Sequence, residues 1–133
     1  MRRVFSSLLA LVLVLSIGLT GCSSPTPSGL SGNYNEDTVA VIESLRTALG
    51  AANGTPEQAE AQAQARQTIN DFAGLYRREP SLQDKASFRT MQTALNALAG
   101  HYSSYGNRPV PKKLQDRLEQ EFKQVEAALR RGA

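Results

Sequence analysis

The sequence predicts an all-α protein, an up-down-up-down four-helix bundle behind a flexible lipid-anchored tether. Four stretches repeat apolar residues at spacings of three and four, the period of a helix face. No stretch alternates apolar and polar residues over a useful length, so no strands are expected. Short connections join the four stretches, which makes consecutive helices antiparallel neighbours. Alanine is abundant after residue 47, favouring helices that approach closely at a shallow, left-handed crossing.

The chain opens with an address. Met1-Arg2-Arg3 is a short basic segment, and Val4 to Ile17 is apolar apart from Ser6, Ser7 and Ser16. Leu19-Thr20-Gly21-Cys22 follows, with small residues leading to a cysteine. This is the pattern of a secretory signal peptide, and the apolar run is shorter than the about 20 residues a spanning helix needs. Leu-Thr-Gly-Cys resembles the lipobox of bacterial lipoproteins. The expectation is that residues 1–21 are removed and that Cys22 takes a diacylglycerol through its thiol. Two or more acyl chains give stable anchoring.

Residues 22–34 read as the tether, with the Ser, Pro and Gly composition of a flexible linker. Residues 35–131 form the bundle. The first helix starts near Asn35, capped by Asn33 or Asn35, with Glu36 and Asp37 as charges suited to the positive end of its dipole. Val41, Ile42, Leu45, Ala48 and Leu49 are its apolar face, and Gly50 ends it. Thr55-Pro56-Glu57-Gln58 is a capping box with proline at the first helical position. The second helix then buries Ala61, Ala65, Ile69, Phe72 and Tyr76, and Pro80 stops it.

The third helix takes Ser81 as its cap. It carries an a/d seam of Phe88, Met91, Leu95, Leu98 and Tyr102. Gly100 inside it costs about 1 kcal/mol against alanine, and a close helix contact is one reason for such a residue. Ser103 to Val110 reads as a loop. The fourth helix opens at Pro111 with Leu114, Leu118, Phe122, Val125 and Leu129 inward. Glu119–Lys123 and Glu126–Arg130 are spaced as i,i+4 pairs on its outer face.

The chemistry is sparse. Without residues 1–21 the chain keeps 13 basic and 12 acidic residues, too balanced for a nucleic-acid partner. Cys22 is the single cysteine, which excludes an internal disulfide. His101 is the single histidine and has no carboxylate three or four residues away, so it reads as a packed or solvated side chain and not as a metal ligand. No phosphate loop, zinc-protease helix or calcium loop is present, and no catalytic set can be named. No enzyme activity, cofactor or metal is expected, and the free protein is expected to be a monomer. Tyr102, Tyr105, Asn107 and Arg108 surround a proline-stiffened loop, and tyrosine and arginine are the residues enriched at binding hot spots. These four are the expected partner-binding residues. Alternating helix ends put Arg77, Arg78, Arg130 and Arg131 at the tethered, membrane-proximal end.

The blocks Gly29-Leu30-Ser31-Gly32-Asn33-Tyr34, Leu75-Tyr76-Arg77-Arg78, Thr90 to Tyr105, Asn107-Arg108-Pro109 and Arg117 to Phe122 carry a family likeness. The chain resembles the photosystem II assembly-factor lipoproteins of the Psb subunit twenty-seven family, from about Gly29 to Leu129. The resemblance implies a four-helix bundle acting on the lumenal face of the thylakoid membrane. It implies binding to photosystem II intermediates that lack a finished manganese–calcium–oxide cluster. It further implies contact with the lumenal loop of the inner-antenna chlorophyll protein, keeping extrinsic subunits off until the cluster is built. Metal delivery to the cluster and a general structural role in the envelope are the alternatives. The lipobox points to a cyanobacterial member.

Overall fold

The computed structural model describes residues 26–133; the signal segment and Cys22 lie outside them. Among the described residues four helices run in order: α1 (Tyr34–Gly50), α2 (Pro56–Tyr76), α3 (Ala86–Tyr105) and α4 (Lys112–Arg130), with a short 3₁₀ turn over Pro80–Leu82 before α3. α1 packs along α2 and α3 along α4, while the α1–α4 and α2–α3 seams are less extensive. The architecture is the four-helix bundle that periodicity predicts. Val41, Ile42, Leu45, Phe72, Phe88, Met91, Leu98, Leu118, Phe122 and Val125 fill its centre. Burying each such side chain contributes about 1.5–3 kcal/mol.

Local signals set the helix starts. The Asn33 side chain accepts from the Glu36 backbone N–H at 3.2 Å, and Thr55 does the same for Gln58 at 3.2 Å. The Gln58 side chain reaches back past the cap to accept from Gly54 at 2.8 Å, and Gly54 takes the positive φ of 77° that its turn requires.

The structure corrects the sequence reading in five places. Ser81 does not cap the third helix. Burial of Leu82 pulls Pro80–Leu82 into the 3₁₀ turn, and α3 starts only at Ala86. That helix also continues through Ser103 and Ser104 to Tyr105, where Gly106 ends it at a φ of 59°. Gly100 faces open space, since a Cβ there would meet nothing within 4 Å. Glu119 and Glu126 do not spend themselves on their own helix. Arg46 of α1 donates to Glu119 at 2.8 and 3.1 Å and to Glu126 at 2.6 Å, clamping α1 to α4 with its guanidinium 5.9 Å from the Phe122 ring centre. These bonds hold the Arg46 pKa above and the Glu119 pKa below their ordinary values.

The fifth correction is the tether. From Thr26 onward the expected flexible segment is docked on the bundle. Ser28 donates from its amide and hydroxyl to Asp71 at 2.9 and 2.6 Å, and Leu30 is buried in the core. Asp37 is the anchor of this segment. One of its oxygens accepts from the Ser31 amide at 2.7 Å and the Ser31 hydroxyl at 2.9 Å. The other accepts from the Gly32 amide at 2.8 Å and from the Tyr76 hydroxyl. Burial alone would raise the Asp37 pKa, but these four donors together hold it below the usual carboxylate range. Burial and the adjacent carboxylate push the Tyr76 phenol up, keeping it protonated as a donor.

A carboxyl group whose pKa is lower folded than unfolded stabilises the fold fully above its unfolded value of about 3.9, and that stability is lost as pH falls through the folded value. Asp37→Asn would set an NH₂ group against two donors whichever way the amide lies. Urea unfolding at pH 7 should show it about 2–4 kcal/mol less stable than the parent, with a flatter loss of stability below pH 4. An unchanged midpoint would mean that Asp37 does not hold the segment.

Candidate partner-binding surfaces

Antiparallel packing separates the expected site residues into two ends. The starts of α1 and α3 meet the ends of α2 and α4. Tyr34 hydrogen-bonds Ser87 through the two hydroxyls at 2.8 Å and packs edge-on against Tyr76, and the Ser87 amide donates to the Ala133 carbonyl at 3.3 Å. Arg77, Arg78, Arg130 and Arg131 are exposed at this end. The Asn53-Gly54 turn and the α3–α4 loop lie at the opposite end.

The α3–α4 loop is stiff for identifiable reasons. The Arg108 carbonyl accepts from His101 Nε2 at 3.1 Å, so that nitrogen carries the proton. Val110 is buried, and its carbonyl accepts from the Gln115 side chain at 2.9 Å. His101 is therefore a packed core histidine that pins the loop. Tyr105, Asn107 and Arg108 are exposed, with Tyr105 55% accessible and its ring 5.2 Å from that of His101. Tyr102 is different, at only 4% accessible. Its place in the a/d seam decides its position, so it stands beneath the surface and not on it.

Tyr102 faces a feature that the apolar stripes alone do not reveal. Between α2 and α3 the bundle is open along a trough of two adjoining depressions of about 280 and 190 Å³. Arg66 lies over the Tyr102 ring, 5.2 Å from its centre. The Tyr102 hydroxyl and the Arg66 Nε and one terminal NH₂ are shielded from solvent without a hydrogen-bond partner. Burial pushes the Tyr102 phenol up, and Arg66 offsets this in part. The sequence carried one signal of this, an arginine one turn after Gln62 and one turn before Asn70 on the edge of an otherwise small and apolar stripe. Among the described residues no three His, Cys, Asp or Glu side chains are grouped to hold a metal. No described helix is long and apolar enough to cross a membrane.

An unpaired buried hydroxyl lowers stability, so Tyr102→Phe should leave stability unchanged or raise it by up to about 1 kcal/mol in urea unfolding. A loss of more than about 1 kcal/mol would mean that the hydroxyl holds a bond the fold needs.

The comparisons with known proteins agree along the length of the chain. It is 56% identical over 133 residues to the photosystem II assembly factor lipoprotein Psb27 of Thermosynechococcus vestitus, covering 100% of this chain and 98% of the relative. It is 37% identical over 134 residues to the photosystem II repair protein PSB27-H1, chloroplastic, of Arabidopsis thaliana, covering 99% of this chain and 77% of that protein. The solution structure of Psb27 from cyanobacterial photosystem II superposes with a TM-score of 0.76 at 48% identity, over 85% of this chain and 96% of that one. The family model described as Photosystem II Pbs27 matches residues 5–129, and the chain belongs to that family.

Proposed function

We propose that this protein is a non-catalytic assembly and repair factor of photosystem II, held on the lumenal face of the thylakoid membrane by acyl chains on Cys22. The observation that carries the reading is end-to-end similarity to relatives named as an assembly factor lipoprotein and as a repair protein. The lipobox ending at Cys22 supports the anchor.

The two ends have separate tasks in this reading. Arg77, Arg78, Arg130 and Arg131 lie where the chain leaves for its anchor, and basic residues near an anionic bilayer contribute about 1 kcal/mol each. Tyr105, Asn107 and Arg108 project from the far end on a loop pinned by His101, so little ordering entropy is lost on docking. Their partner is the lumenal loop of the inner-antenna chlorophyll protein in complexes whose manganese–calcium–oxide cluster is unfinished. Tyr102 supports this surface from below. Occupying that loop keeps extrinsic subunits off while the cluster is built.

Affinity capture of the lipidated protein from thylakoids tests the reading. It should recover immature complexes lacking the extrinsic oxygen-evolution subunits, and the intact mass of the bait should begin at an acylated Cys22. Arg108→Glu should reduce recovery at least 10-fold with helix content unchanged, and Arg131→Glu should weaken vesicle binding only. Recovery of complete, oxygen-evolving complexes alone would overturn the function, and normal recovery with Arg108→Glu would overturn the surface.

A further inference from the structure

We propose that the trough between α2 and α3 is a second protein-binding site, which takes a partner segment whose carboxylate side chains flank an apolar residue. Beneath it lie Ile69, Phe72, Phe88 and Leu95, all of them buried core side chains of which only edges reach the trough. Its walls are low. Ala73 and Ala99 line it. The apolar surface left uncovered is small, so one short apolar side chain suffices to cover it.

Charge selects the occupant. The charged residues lining the two depressions are Arg66 and Arg77, with no carboxylate among them. Arg66 and the Tyr102 hydroxyl give a second, independent reason. Tyr102 is nine-tenths buried or more, and its hydroxyl and two Arg66 nitrogens are unpaired. A carboxylate that draws the guanidinium off the tyrosine ring breaks no hydrogen bond at those nitrogens and supplies acceptors to them. Nε and a terminal nitrogen form one edge of the fork that pairs with a carboxylate through two parallel bonds.

The rim selects a peptide over a lipid or a free anion. Asn70, Gln92 and Asn96 line the trough with amides, which both donate and accept as a peptide backbone requires. An acyl chain has nothing to offer them, and an inorganic anion leaves the floor uncovered. Arg66 and Arg77 lie about 16 Å apart along one helix, the reach of about five extended residues.

A random-peptide display selection on the mature protein tests the site. Enriched peptides should combine Asp or Glu with an apolar residue. They should bind Arg66→Gln at least 10-fold more weakly, with the same loss for Asn96→Trp, which fills the trough from an exposed position. Circular dichroism confirms that each variant is folded. Arg108→Glu should bind them normally, which separates this site from the far-end surface. Failure to enrich acidic peptides, or binding to both trough variants as tight as to the parent, would overturn the proposal. So would vesicles of anionic phospholipid that bind in an Arg66-dependent way while peptides do not, since the trough would then be a lipid site.

Discussion

The buried carboxylate of Asp37 is the interaction on which the rest of this structure depends. A carboxylate out of water is costly unless donors surround it, and here four do. They come from the segment before α1 and from the end of α2, so one side chain fixes how the chain enters the bundle. Beside it, Tyr34 reaches Ser87 at the start of α3, and Ser87 in turn binds the last residue of the chain. All four helices and the entering segment are thereby tied at one end. The exposed arginines at that end and the pinned loop at the other follow from antiparallel helices of similar length.

The lateral seams are unequal. Arg46 joins α1 to α4 through two glutamates, and its partial burial makes that network stronger than scattered surface pairs. The α2–α3 seam has Arg66 in an analogous place but no carboxylate opposite. Arg66 lies on an aromatic ring instead, which satisfies its charge by a cation–π contact and leaves its hydrogen bonds unmade. One seam is thus closed by ion pairs, and the other stays open as a trough.

Much of the fold was legible because helix geometry is local. The stripes of α1 and α2, the Thr55 box and the seam from Phe88 to Tyr102 each declare themselves within one or two heptads. What was not legible is what depends on distant partners. Glu119 and Glu126 have the spacing of intrahelical pairs, and nothing in α4 says that Arg46 stands opposite. Asp37 has the position of an ordinary dipole charge, and only the fold shows that Ser31, Gly32 and Tyr76 converge on it. Leu30 was hidden by the linker-like composition around it. For the candidate surface, Tyr105, Asn107 and Arg108 stand exposed as expected, while the periodicity that placed Tyr102 in the seam outweighed its residue type. Arg66 was missed because an arginine on a helix edge reads as solvated until its neighbour across the seam is known.

In the proposed function the molecule has two opposed ends, one for the membrane and one for its partner. Photo-crosslinking reads that polarity directly. A photoreactive residue is placed at position 105, 108, 78 or 131 of the lipidated chain, and the membranes are illuminated. Protein adducts are expected from 105 and 108, and lipid adducts from 78 and 131. Protein adducts from 78 and 131, with none from 105 and 108, would contradict it.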